Sequence, residues 1–165
     1  MIKVILADDH RMFRESLRKI LEVQGIAQVL AEASNGVELI GLLDKYQPDL
    51  ILMDISMPLM DGIEATRRAV LKQPGVKVLT LSSFGDESYY FTMVEAGVKG
   101  FVLKTAGIAE LQSAITEIAA GGSWFSSELL QKVIFTLNDK VSPKKSENEF
   151  NDRETEVLKL ICESN

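Results

Sequence analysis

An open, doubly wound α/β domain is the fold class this sequence predicts, with helices on both faces of a parallel sheet. Three observations predict it. Five short apolar runs alternate with five segments of helical period. Several of the runs have continuous apolar cores with no in/out alternation, as in strands buried on both faces. Glycines at 25, 97 and 121–122 stand where helices should stop. Strand alternating with helix in this way is the signature of a parallel sheet wound in both directions.

The elements follow in order. "KVILAD" (3–8) is the first strand, and "HRMFRESLRKILEVQ" follows as a helix with Phe13, Leu17, Ile20 and Leu21 on one face. "QVLAEA" (28–33) precedes "NGVELIGLLDKY", whose Leu39, Leu42 and Leu43 keep the helical period. "DLILMD" (49–54) reads as a buried central strand. The helix after it, "DGIEATRRAVLKQ", has Asp61 as N-cap and Glu64 three residues on, a capping box. "VKVLTLS" (76–82) leads to "DESYYFTMVEAG", and "GFVLK" (100–104) to "GIAELQSAITEIAAGG".

After Gly122 the rhythm changes. "SWFSSELLQKVIFTL" reads as a further amphipathic helix, with Ser126 or Ser127 as cap. "NDKVSPKKSENE" (138–149) is polar, contains proline and lacks periodicity, so it reads as a linker. "FNDRETEVLKLICESN" opens a new helix whose apolar face (Val157, Leu158, Leu160, Ile161) has nothing after it to cover it. The expected organisation is a domain over 1–122, an extra helix and linker over 123–149, and the start of a second domain over 150–165, cut short.

Composition narrows the function. The 165 residues are 46% apolar and 25% charged, with a net charge of −6, the profile of a soluble globular protein. Residues 1–122 carry 12 basic and 16 acidic side chains and the remainder 6 and 8, so neither part has the basic excess that neutralises nucleic-acid phosphates. No apolar stretch approaches the roughly 18 residues of a membrane span, and "MIKVILADD" lacks the features of a signal peptide. The single cysteine, Cys162, allows neither an internal disulfide nor a cysteine-based zinc site. The expectation is a cytoplasmic protein without a membrane partner.

In doubly wound sheets, ligands bind outside the carboxyl ends of the strands. There the sequence places Asp8 and Asp9, Asp54, Ser82, and Lys104, from four separated segments. Three crowded carboxylates repel one another, and a hard divalent cation such as Mg²⁺, bound through one or two carboxylates with phosphate oxygens, removes the conflict. A carboxylate can also accept a phosphoryl group as nucleophile, a transfer that needs positioning and charge neutralisation more than acid–base groups. Asp54, ending the central strand, is the natural nucleophile, with Asp8 and Asp9 on the metal and Lys104 on the phosphate. Taken singly, Asp54, Asp8 and Asp9 are as readable as turn or cap residues, Lys104 is more readily a solvated loop lysine and Ser82 a structural hydroxyl; their shared position at strand ends favours the site. His10, the only histidine, reads as a helix-start residue without partners for a metal site.

"ADD", "LMDISMPLMDG", "LTLSSF" and "GFVLK", in that order, resemble the receiver domain of bacterial two-component response regulators, over about residues 1–122. The resemblance implies a flavodoxin-like five-stranded sheet of order 2-1-3-4-5. It implies phosphorylation of Asp54 by the phosphohistidine of a sensor histidine kinase, with Mg²⁺ held by Asp9, by Asp8 largely through water, by Asp54 and by the backbone carbonyl of Ser56. It makes Ser82 the switch hydroxyl, Phe101 the aromatic that changes rotamer with it, and Lys104 the partner of the phosphate. "LKTA" and "ELQSAITEIAAGGSWFS" look like the NarL/FixJ (LuxR-type) branch. The tail "FNDRETEVLKLICESN" resembles the first helix of that branch's helix-turn-helix domain, with Phe150 and Asn151 departing from the usual Leu and Thr. DNA binding is thereby implied for a complete C-terminal domain, and homodimerisation is a possible consequence of phosphorylation. The chain is then a phosphoacceptor in signalling and not an enzyme with an external substrate. A phosphatase of the haloacid-dehalogenase type also uses an Asp nucleophile, but carries it in a D-x-D motif after the first strand, where this chain has Asp-Asp-His. A degenerate receiver would have lost acidic or lysine positions that are all present here.

Overall fold

The computed structural model describes residues 1–83 and 86–125, together with positions 127, 130, 131, 134 and 135 of a helical stretch; for residue 87 only the backbone is described. The elements run β1 (Ile2–Ala7), α1 (Arg11–Val23), β2 (Ala27–Ala33), α2 (Gly36–Leu42), β3 (Leu50–Asp54), α3 (Gly62–Lys72), β4 (Lys77–Ser82), a 3₁₀ turn (Asp86–Tyr89), α4 (Tyr90–Ala96), β5 (Gly100–Leu103), α5 (Ile108–Ala119) and β6 (Trp124–Phe125). All strands pair in parallel, in the order β2-β1-β3-β4-β5-β6. The expected doubly wound sheet of order 2-1-3-4-5 is present, with a sixth strand at one edge.

Strand geometry explains why the runs are continuously apolar. Successive side chains point to opposite faces, and here each face is a core. Ile5, Ala7, Ile51, Met53, Val78 and Phe101 pack on one side with residues of α2, α3 and α4. Val4, Leu6, Leu50, Leu52, Leu79, Leu81 and Val102 pack on the other with Leu17 and Leu21 of α1 and Leu111, Ala114, Ile115 and Ile118 of α5. All five residues of β3 are buried, its terminal Asp54 included.

Two helix starts are fixed by side-chain caps. Asn35 accepts from the Glu38 amide at 2.9 Å and Asp61 from the Glu64 amide at 2.9 Å, as expected for Asp61. Only half of the Asp61–Glu64 box forms, because the Glu64 carboxylate turns outward to Arg68 (2.7 Å). The segment before α4 differs from the single helix the sequence suggests: it enters through the 3₁₀ turn, with no side-chain cap on Tyr89. A tighter 3₁₀ turn is a common helix start. α4 ends at Gly97, whose φ of 107° is left-handed backbone that glycine adopts without strain.

The sheet continues past Gly122 because Trp124 and Phe125 pair with Gly100 and Phe101. The expected linker over 138–149, the expected helix over 150–165 and much of the helix expected over 123–137 lie outside the described residues.

Candidate functional site

The carboxyl ends of β1, β3, β4 and β5 meet at one rim, and the strand register sets which side chains share it. Asp54 ends β3 opposite Leu81, and Ser82 pairs with Leu103. Lys104 follows β5 directly, its amide donating to the Ser82 carbonyl at 2.8 Å. Its Nζ then sits 2.6 Å from Asp8 Oδ2 and 3.1 Å from Asp54 Oδ2, with both carboxylates buried. The Lys104 ammonium also lies 5.1 Å from the centroid of the Phe13 ring on α1, a cation–π contact that holds it over the rim.

Burial and pairing shift both Asp54 and Lys104. Burial and the neighbouring Asp8 charge push the Asp54 carboxyl up to about 6, against the opposing pull of Lys104 and the Ile55 amide. Burial works to lower the Lys104 ammonium, but pairing with Asp8 and Asp54 outweighs it and the net shift is upward. One lysine is thus shared between two carboxylates. Asp54 Oδ1 accepts from the Ile55 amide at 2.8 Å, which fixes the carboxylate's orientation.

Asp9 stands beside this pair, its side chain about one-third exposed. Ligand atoms of Asp8, Asp9, His10 and Asp54 all lie within 4.8 Å of one another. Apart from the Lys104 contact, Asp8 Oδ2 is buried with no hydrogen-bond partner of good geometry. Converging oxygens and an under-satisfied buried carboxylate fit a hard divalent cation such as Mg²⁺. Ser56, two residues past β3, is exposed.

The loop between β3 and α3 is tightly drawn. The Met60 amide donates to the Pro58 carbonyl at 2.7 Å, with Leu59 between them at φ 66°, a conformation uncommon for leucine. Gly62 donates to the Ile55 carbonyl at 2.8 Å, and a Cβ on it would lie 2.0 Å from the Asp54 carbonyl oxygen. Only glycine lets α3 start this close to Asp54.

Ser82 and Phe101 stand on a different set of partners. Ser82 is fully buried, and its Oγ is 3.4 Å from the Tyr90 hydroxyl. The Phe101 ring is buried between Tyr90 (centroids 4.8 Å apart) and Phe125 (5.7 Å). So the structure groups Asp8, Asp9, Asp54 and Lys104 at one point, and Ser82 and Phe101 around Tyr90.

Three contributors escape sequence reasoning. His10 stands at the start of α1, as expected, without a side-chain cap hydrogen bond, but it does not lack acidic neighbours: its Nδ1 is 3.2 Å from Asp8 Oδ1 and 3.0 Å from Asp9 Oδ1. Adjacency in "DDH" was the only available signal. Arg14 on α1 donates to the Asp8 carbonyl and pairs with Glu32 of β2 at 3.4 Å. The spacing offers no sign of that helix-to-strand contact. Tyr90 lies in the segment "DESYYFTMVEAG", which reads only as a helix.

Comparison with known proteins agrees with this fold. Residues 4–116 match the model of the response regulator receiver domain. The chain is 35% identical to the transcriptional regulatory protein DegU of Brevibacillus brevis over 161 residues, covering 97% of this chain and 68% of that protein. It is 37% identical to LiaR of Bacillus subtilis (strain 168) over 163 residues, 99% of this chain and 77% of that one. A LuxR-family two-component response regulator from Aurantimonas sp. SI85-9A1 superposes with a TM-score of 0.76 at 30% identity, covering 84% of this chain and 99% of that structure. The fold and the acidic rim define a signalling receiver. The chain belongs to the response regulator receiver family, and its relatives are regulators of the LuxR/NarL type.

Proposed function

We propose that this chain receives a phosphoryl group on Asp54 from the phosphohistidine of a sensor histidine kinase and thereby controls transcription. The observation that carries the reading is the buried Asp8–Lys104–Asp54 arrangement at the carboxyl end of the central strand, with one lysine bridging two carboxylates. Asp8, Asp9, Asp54 and the Ser56 carbonyl would hold Mg²⁺, which when bound neutralises charge on phosphoryl oxygens.

The chain's own groups do the rest. With its carboxyl raised only to about 6, Asp54 is predominantly ionised at pH 7 and available as nucleophile. Oδ1 is held by the Ile55 amide, leaving Oδ2 to form the new P–O bond while the donor's N–P bond breaks and its imidazole leaves. Lys104 already touches Oδ2 and passes to the phosphoryl oxygens as they arrive. Ser82 then supplies a hydroxyl to the phosphoryl group, and Phe101 repacks with it. Residues 1–122 are the receiver in this reading, 123–149 a helix and linker, and 150–165 the first helix of a LuxR-type DNA-binding domain. DNA contact belongs to the complete domain, and a phosphorylation-driven homodimer in the cytoplasm is the form that acts.

The test is Mg²⁺-dependent labelling by acetyl phosphate. Wild-type protein takes up one phosphoryl group per chain and Asp54→Asn none; undiminished labelling of Asp54→Asn rejects the assignment.

A further inference from the structure

We infer that Tyr90 is a positioning residue for Ser82: its phenol holds the Ser82 hydroxyl on the α4 side of the sheet, away from Asp54, until the rim is phosphorylated. The inference rests on the phosphoacceptor reading of Asp54 and adds a residue that this reading does not include.

Ser82 can move very little. Its backbone is fixed in β4 by register with Leu103, and its carbonyl accepts from the Lys104 amide at 2.8 Å. Its Oγ therefore changes partner by rotation about χ1, between staggered positions. One such position places it 3.4 Å from the Tyr90 hydroxyl, with both residues fully sequestered from water. The register puts Ser82 one residue beyond Leu81, the residue opposite Asp54, at the same rim.

Tyr90 does not follow that rotation as long as Phe101 keeps its place. It is the first residue of α4, and its ring lies against Phe101 at 4.8 Å with a 51° tilt, while Phe101 is itself backed by Phe125 at 5.7 Å. A ring packed in this way keeps its hydroxyl in place. The Ser82–Tyr90 distance is long for two hydroxyls, whose usual separation is about 2.7–2.8 Å. A buried hydroxyl needs a partner, yet a long bond is given up readily. This is a hold that a phosphoryl oxygen, a charged acceptor forming the stronger bond, displaces.

The experiment uses the full chain with Mg²⁺ and beryllofluoride as phosphoryl mimic, measuring affinity by calorimetry in wild type, Tyr90→Phe, Ser82→Ala and the double variant. Removing the phenol frees Ser82, so Tyr90→Phe tightens binding by about three- to tenfold, the range expected from one hydrogen bond. In the Ser82→Ala background the same substitution changes nothing. Equal effects in both backgrounds, no effect, or weaker binding in Tyr90→Phe overturn the assignment. A second measurement needs no substitution at Tyr90: with tyrosines labelled at ¹³Cζ, beryllofluoride shifts one resonance in wild type and none in Ser82→Ala. An unshifted spectrum in wild type, or the same shift in both, counts against the hold. Wild-type protein that binds no beryllofluoride overturns the phosphoacceptor reading, and this inference with it.

Discussion

Asp54 carries an energetic conflict that its neighbours reduce without removing. Its carboxyl is raised from 3.8 to about 6 by burial and by Asp8, so the folded state binds its proton more tightly than the unfolded chain does. That linkage gives stability fully present below about pH 4 and lost as pH rises through about 6. Asp54→Asn is therefore expected to raise the urea midpoint above wild type at pH 7.5 in metal-free buffer, with the gap closing towards pH 4.5. A gap independent of pH would show that Asp54 is not the group responsible. Gly62 is the second residue whose identity is fixed by its surroundings. A Cβ there meets backbone 2.0 Å away, which cannot yield as a flexible side chain would. Gly62→Ala should destabilise by about 1–3 kcal/mol and lower the rate of Asp54 labelling, both readable by denaturation and acetyl phosphate assays.

At the scale of elements, helix starts place the site. Asp61 anchors α3 by accepting from the Glu64 amide, and α3 in turn begins at the glycine against Asp54. Asp61→Ala should cost about 1 kcal/mol in equilibrium unfolding while leaving one-to-one labelling by acetyl phosphate intact, since the cap does not touch the rim. That cap was legible in the sequence because capping is local, decided within four residues. The ends of β1, β3, β4 and β5 were legible for a related reason: a polar residue closing a fully apolar run marks where burial ends. The Tyr90–Ser82 contact was not legible, because it depends on the 3₁₀ turn that sets where α4 begins. Arg14 on the Asp8 carbonyl was hidden too, since it requires knowing that α1 lies beside β2, where Glu32 waits. Sequence period identifies elements well and says little about which side chains meet across them.

For the whole molecule, the acids at the rim make metal and stability inseparable. A divalent cation that binds the folded rim and not the unfolded chain must stabilise the fold by mass action. Millimolar Mg²⁺ should therefore raise the melting temperature of wild type, and raise it far less in a variant with Asp8→Asn and Asp9→Asn. Equal rises in both would place the ion elsewhere. Adding beryllofluoride with Mg²⁺ is expected to shift the protein from monomer to dimer on sizing, if the proposed output is through self-association; an unchanged elution volume rejects that output.

The two-residue β6 has a further consequence for how copies of this chain can meet. A parallel sheet left open at β5 would present a row of unpaired amides and carbonyls to any passing strand. Trp124 and Phe125 occupy Gly100 and Phe101, half of that strand, and their own ladder is too short to template another. Strand addition is thus hindered along this border, and among the described residues the longer free edge of the sheet is β2 (Ala27–Ala33) at its opposite side, so a second copy adding a strand would meet β2 first.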